Sequence, residues 1–116
     1  MADSTQELKD KTLAQLEALR NTLASTEWQT RMISASPEQK QQSSDARILA
    51  DARIAQLENV QLGEIDQQID ADAPALNDAI AGMQSALGHL KDAATVLAAA
   101  SALLKVVGRV LASIAL

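Results

Sequence analysis

The residues that could do chemistry in this chain are few, and their spacing does not match a catalytic site. His89 is the only histidine and there is no cysteine, so no His, Cys and Ser constellation supports nucleophilic catalysis. A di-metal site in a helical bundle needs Glu-x-x-His pairs, and Ala86 stands three residues before His89. No glycine-rich phosphate loop is present. We therefore expect no enzyme activity, no catalytic, cofactor-binding or metal-binding residue and no small-molecule substrate.

One acidic cluster stands out, formed by Glu64, Asp66, Asp70 and Asp72. Its spacing does not match the calcium loop of an EF-hand. Asp66 and Asp70 are like charges four residues apart near a predicted helix end, where repulsion and the helix dipole disfavour them. We interpret the cluster as a solvated helix end, and a weak Ca²⁺ site or a patch for a basic partner is the alternative.

Charge and the N-terminal residues restrict the partners and the compartment. The net charge is −5, from 15 acidic and 10 basic residues. Without a basic patch, we expect no nucleic-acid partner, because phosphate neutralisation needs clustered Lys and Arg. The first residues, MADSTQELKDK, are polar and lack the apolar region of a cleaved signal peptide. We expect a cytoplasmic protein, or one exported without such a signal.

The composition predicts an all-α fold. Apolar residues make up 47% of the chain, Phe and Tyr are absent, and Trp28 is the only aromatic residue. Alanine and leucine supply most of the apolar fraction, and both favour helices. We expect one domain over 1–116, folded as an elongated antiparallel bundle of three long helices with coiled-coil-like packing.

The first two helices have marked starts. Ser4 with Glu7, and Ser36 with Gln39, fit capping boxes, in which each side chain satisfies the other residue's backbone N–H. We predict helix 1 over about 4–34 and helix 2 over about 37–70. Their expected core residues are Leu8, Leu13, Leu16, Leu19 and Leu23 in helix 1, and Ala46, Ala50, Ile54, Leu57, Ile65 and Ile69 in helix 2.

Pro74 ends the second predicted break, Asp70–Pro74, because proline disfavours a helical residue before it. Helix 3 is then predicted over about 74–116. Its apolar register alternates in steps of four and three over nearly five heptads, which is typical of a coiled-coil seam. Gly88 leaves open a break in this helix, which would give four helices.

The end of the chain, residues 93–116, is the most apolar segment. It holds ten Leu, Val or Ile residues and two charges, Lys105 and Arg109. Val96, Leu103 and Val107 begin a second apolar stripe beside the seam, so the helix is expected to have two apolar faces. In a three-helix bundle its neighbour would be residues 38–45, which contain no apolar residue. We therefore expect this surface to be covered from outside the monomer.

The function predicted from this pattern is a non-enzymatic interaction or assembly protein that forms a homo-oligomer or binds a helical partner. The alternative is a membrane-active or exported protein whose C-terminal segment engages a lipid surface. Spanning a bilayer alone is disfavoured, because two mid-span cations cost about as much as the apolar residues contribute. The predicted interface residues are Trp28, Met32, Ala94, Val96, Leu97, Ser101, Leu103, Leu104, Val107, Gly108, Val110, Leu111 and Ile114.

Overall fold

Helices make up almost all of the chain that the structure describes. The computed structural model describes residues 5–59, 62–88 and 93–115, except the side chains of residues 5, 62–70 and 113–115. These ranges contain α1 (Thr5–Leu23), α2 (Thr26–Ile33), α3 (Pro37–Asn59), α4 (Leu62–Leu87) and α5 (Ala93–Ala115). They contain no strand, so the predicted all-α class is confirmed.

Ser25 divides the first predicted helix into two. Its backbone is extended, and its Oγ accepts a 3.2 Å hydrogen bond from the Trp28 N–H, as an N-cap does. The same hydroxyl donates to the Thr22 carbonyl oxygen at 2.6 Å, and Gln29 Nε2 donates to the Leu23 carbonyl oxygen at 2.6 Å. Side chains thus satisfy carbonyl groups at the end of α1. The continuous helix predicted over 4–34 is therefore two helices.

The capping box predicted at the start of α3 is confirmed. The Gln39 N–H donates to Ser36 Oγ at 3.1 Å, and the Ser36 N–H donates to Gln39 Oε1 at 3.4 Å. Pro37 is the first residue of the helix, where its missing N–H costs no hydrogen bond. The box predicted around Ser4 lies outside the described residues.

The second predicted helix, over 37–70, does not run as one helix. α3 ends at Asn59 and α4 begins at Leu62. Asn59 Nδ2 donates to the Ala55 carbonyl oxygen at 2.9 Å, and such a side-chain bond competes with the backbone bonds of a continuing helix.

The break predicted at Asp70–Pro74 is wrong, because Pro74 lies inside α4. An interior proline costs about 3 kcal/mol relative to alanine. Leu76 and Met83, which follow it, are buried, and each buried side chain of this size contributes about 1.5–3 kcal/mol. A continuous helix holds these residues in the core, which outweighs the local cost of the proline.

The helix predicted over 74–116 ends instead at Leu87, and α5 begins at Ala93. This confirms the alternative of a break near Gly88 and corrects the three-helix architecture. In the described ranges the bundle consists of four helices, α1, α3, α4 and α5, with the short α2 between the first two.

Each helix of the bundle has two neighbours. Contacts are most extensive between α4 and α5, and α1 packs on both α4 and α3 while α3 also packs on α5. Consecutive helices α3 and α4 therefore lie across a diagonal of the bundle, as do α1 and α5. The body measures 45 × 28 × 18 Å.

Contacts between neighbouring helices fix their directions. Arg20, near the end of α1, pairs with Asp51 at 3.7 Å, and Trp28, which follows α1 in the chain, donates a hydrogen bond to Ser43, earlier in α3. The chain therefore advances along α1 and α2 in the direction opposite to α3, so α1 and α3 are antiparallel. Asp72 pairs with Arg109 at 3.5 Å, so α4 and α5 are antiparallel. The late residues of α3 and α5 lie together and their early residues line the same groove, which makes α3 and α5 parallel. Because α1 is antiparallel to α3, α3 is parallel to α5, and α5 is antiparallel to α4, helices α1 and α4 are parallel.

The core confirms most of the leucine and alanine pattern. Leu8, Leu16, Leu19, Leu23, Ala46, Ala50, Ile54 and Leu57 are buried, and Leu13 is half-buried. The side chains of Ile65 and Ile69 lie outside the described residues. One continuous core joins residues from all five helices.

Candidate functional site

The described residues contain no group of His, Cys, Asp or Glu side chains that could hold a metal ion. Of the acidic cluster, Asp72 is described, and it pairs with Arg109 at 3.5 Å. The side chains of Glu64, Asp66 and Asp70, and all of His89, lie outside the described residues.

Most of the predicted interface residues lie inside the chain's own core. The buried ones are Trp28, Met32, Val96, Leu97, Leu103, Leu104, Val107, Val110 and Leu111. Ala94 and Ser101 are exposed, and Gly108 is half-buried. The side chain of Ile114 lies outside the described residues. A partner could meet the nine buried side chains only if the bundle opened.

The expectation that residues 93–116 lack cover within the monomer is wrong. It assumed one helix from Pro74 onward, which would place the apolar end beside the polar start of the second helix. The break after Leu87 instead turns α5 back along α4, so Leu76 and Ile80 of α4 join the same core as α5.

The two apolar stripes of α5 are two halves of one inward face. At 100° per residue, Val96, Leu103 and Val107 lie beside Leu97 and Leu104, and all five are buried. Small residues follow the opposite side of the helix, where Ala94, Ala98, Ser101 and Ala102 are exposed. The surface that α5 offers to a partner therefore consists of small residues together with the exposed Lys105 and Arg109.

A groove of about 680 Å³ runs between α3 and α5. Its α5 wall includes Ala94, Ala98 and Ser101, and its α3 wall includes Ala46 and Leu49. Alanine or serine side chains form part of each wall, and the distance at which helices approach depends on the side chains at the contact. The groove can therefore admit a closely packed third helix.

Charges of opposite sign stand on the α3 wall of the groove. Asp45 precedes Leu49 by one helical turn, and Arg53 follows it by one turn. Lys105 of α5 lines the same groove. The groove therefore has an acidic residue toward the N-terminal ends of the two helices and two cations toward their C-terminal ends.

Arg53 lies flat against the backbone of α5. A Cβ added at Gly108 would stand 2.7 Å from Arg53 Nη2 and 3.1 Å from its Cζ. Arg53 Nη1 donates to Gln56 Oε1 at 3.2 Å, and Nε has no partner among the described residues. The close approach to Gly108 is thus made by a side chain of α3.

Sequence reasoning missed two large exposed apolar residues, Leu49, which lines this groove, and Ile48, on the outer face of α3. Ile48 is 65% exposed and Leu49 is 40% exposed, and both belong to α3. They lie off the buried stripe of Ala46, Ala50 and Ile54. The signal was available, because a helix that buries those three positions must turn Ile48 toward solvent at 100° per residue.

Among the described residues, Ala93–Ala112 is long and apolar enough to cross a membrane by length and composition, with a mean hydropathy of 1.7 over 20 residues. Of this window, 44% is buried within the bundle. The core helix of a soluble protein meets the same criterion.

Comparison with known proteins adds no relative. No family model matches the chain, and no curated protein or solved structure is significantly similar to it.

Proposed function

We propose that this chain is a non-enzymatic interaction protein that takes up a partner helix along the outer face of α3 and the groove between α3 and α5. The observation that carries this proposal is the exposure of Ile48 (65%) on the outer face of α3 and of Leu49 (40%), which lines the groove opposite Ala94, Ala98 and Ser101. Exposed apolar side chains next to one another and rimmed by polar residues are typical of interaction sites.

The shape of the surface favours a helical partner. Helix-in-groove recognition places the apolar face of one helix between two others. Here the two flanking helices are parallel, so their dipoles point the same way. A partner helix that runs antiparallel to both brings opposite helix ends together. An acidic first turn on such a partner would then lie near Arg53 and Lys105.

Site-specific photo-cross-linking in cells tests this proposal. A photoreactive residue replaces Ala98, which is exposed in the groove, or Glu17, which is exposed on the diagonally opposite α1. We expect a discrete protein adduct from position 98, none from position 17, and loss of the adduct when Leu49→Arg is added. Equal adducts from both positions, or none from position 98, would contradict the proposal.

A second candidate function is binding to an anionic lipid surface through α5, favoured by the apolar window Ala93–Ala112. Because the apolar face of α5 is buried against the bundle, lipid binding requires that α5 separate from α4. A chain cross-linked between Asp72→Cys and Arg109→Cys cannot make this separation. Vesicle binding by the uncross-linked chain and not by the cross-linked one would support this candidate, whereas the interaction proposal expects no binding by either.

A further inference from the structure

We infer that the groove between α2 and α3 is a binding site for an organic phosphate, whose phosphate group lies on α3 and whose apolar part lies on α2. The groove has a volume of about 440 Å³, which is within the range of small-molecule sites. It lies on the other side of α3 from the groove with α5, so it is a different surface from the one proposed for a partner helix.

The α3 wall of this groove consists of two cations and two hydroxyl groups, Lys40, Ser43, Ser44 and Arg47. At 100° per residue, all four fall within about 100° of the helix circumference. The two cations stand about 10 Å apart along the helix axis, one on each side of the serines. Both long side chains can therefore reach a group that is bound between them.

The two cations are not neutralised within the groove. None of the described residues that line it is acidic, and neither Lys40 nor Arg47 forms an ion pair with another described residue. Asp51, one turn beyond Arg47, pairs instead with Arg20. A cleft lined by charge of one sign concentrates the opposite ion, so this wall favours an anionic ligand in a chain whose net charge is −5.

Ser43 supplies a buried hydroxyl group at the centre of this wall. Its side chain is 7% exposed, and its Oγ accepts the 2.8 Å hydrogen bond from Trp28 Nε1. A hydroxyl group also donates one hydrogen bond, and the Ser43 hydroxyl has no acceptor among the described residues. An oxygen atom of a ligand in the groove can therefore accept from it.

A phosphate monoester matches this set of groups. It carries a charge of about −1.5 to −2 at pH 7 and three strong acceptor oxygens. Two cations and the hydroxyl groups of Ser43 and Ser44 can each take part in its binding. A carboxylate has a single charge and two oxygens, so it would satisfy fewer of them.

The α2 wall of the groove is mainly apolar, and it calls for an organic substituent on the phosphate. Met32 and Ile33 stand here beside Gln29, and Ile33 is 75% exposed. The amide of Gln29 donates to the Leu23 carbonyl oxygen. An alkyl group that covers Ile33 removes apolar surface from water, which stabilises the complex.

Isothermal titration calorimetry of the full chain with hexyl phosphate tests the inference, from about 10 μM to about 10 mM ligand, a range that brackets millimolar affinity. We expect one site per chain. Inorganic phosphate should bind at least about tenfold more weakly, since burial of two methylene groups accounts for such a factor. No binding of hexyl phosphate, or equal affinity for both ligands, would overturn the inference.

Charge variants locate the phosphate group. Lys40→Gln and Arg47→Gln should each weaken hexyl phosphate binding at least about tenfold, because each removes a charged hydrogen-bond donor. Lys105→Gln is the matched control. It makes the same change of charge at an exposed lysine of α5, and it should leave the affinity unchanged. Equal losses in all three variants would show a non-specific charge effect and would contradict the site.

An apolar variant tests the α2 wall. Ile33→Ser should remove the preference for hexyl phosphate over inorganic phosphate, whereas Ile48→Ser, at an isoleucine that is 65% exposed on α3, should preserve it. Helicity and the thermal unfolding midpoint establish that each variant is folded. A preference that persists in Ile33→Ser would refute the assignment of the alkyl group to α2.

The same phosphate chemistry is available from a soluble metabolite or from a lipid headgroup, and vesicles that contain phosphatidic acid distinguish these sources. Binding of hexyl phosphate without binding of vesicles identifies a soluble ligand. Vesicle binding that Arg47→Gln abolishes identifies a headgroup, and it should persist in the chain cross-linked between Asp72→Cys and Arg109→Cys, because α5 stays in place. A chain that binds neither overturns the site.

Discussion

The indole of Trp28 is fully buried, and its Nε1 donates to Ser43 Oγ at 2.8 Å. Ser43 is itself buried, although it lies among the polar first turns of α3 that contain no apolar residue. This hydrogen bond satisfies the indole N–H, so the polar first turns of α3 can pack against the buried side chain of Trp28. Without that acceptor, the indole N–H would be buried and unpaired.

Ser43→Ala should therefore lower the free energy of unfolding by about 1–2 kcal/mol, the usual cost of a buried donor that loses its partner. Denaturant unfolding followed by circular dichroism measures the change. Ser44→Ala is the matched control, because Ser44 is exposed on the same helix, and it should change stability by no more than about 0.5 kcal/mol. Equal effects of the two substitutions would show that the indole hydrogen bond contributes nothing.

At Gly108, the Arg53 side chain limits which residue the helix can accept. Alanine is favoured over glycine inside a helix by about 1 kcal/mol, but the new methyl group would meet the Arg53 guanidinium at 2.7 Å. We expect Gly108→Ala to stabilise the Arg53→Ala variant by about 1 kcal/mol and the native chain by less. Gly82→Ala is the control, since nothing lies within 4 Å of its added Cβ, and its gain should be the same in both backgrounds. A gain at Gly108 that does not depend on Arg53 would refute this contact.

At the scale of the element, the sequence predicted the start of α3 but not the breaks that precede α2 and α4. The box of Ser36 and Gln39 could be predicted because every atom in it lies within four residues. The continuation of α4 through Pro74 could not, because the burial that offsets the proline comes from α1 and α5. The exposure of Ile48 and Leu49 could have been predicted from the buried stripe of α3. The groove between α3 and α5 could not, because it depends on where α5 packs.

Pro74→Ala should stabilise the protein by up to about 3 kcal/mol, because it restores one backbone hydrogen bond inside α4 and removes a steric clash. The unfolding midpoint in denaturant measures this gain. Pro37→Ala is the matched control. Pro37 is the first residue of α3, where proline is well tolerated, so the same substitution should have little effect or a small destabilising one. A chain in which both substitutions behave alike would indicate a helix boundary at Pro74.

At the scale of the whole molecule, the topology decides what the apolar end of the chain can do. α3 and α5 come together as parallel neighbours because the chain crosses the bundle diagonally between α3 and α4. This crossing brings the charged and apolar pattern of α3 beside the small residues of α5. A simple up-and-down ring, in which consecutive helices are neighbours, would separate them and leave no groove between these two elements.

Because the chain has no cysteine, introduced cysteine pairs can test the diagonal crossing directly. Arg20→Cys with Asp51→Cys should react rapidly with a short bis-maleimide, since these residues pair at 3.7 Å across α1 and α3. Loss of this exposed ion pair should cost no more than about 1 kcal/mol. Asp51→Cys with Asp78→Cys joins α3 to α4, and both positions are exposed. This second pair should react slowly, because α3 and α4 lie across a diagonal of the bundle. Rapid intramolecular cross-linking of this pair would show that α3 and α4 are neighbours. The groove between α3 and α5 would then not form.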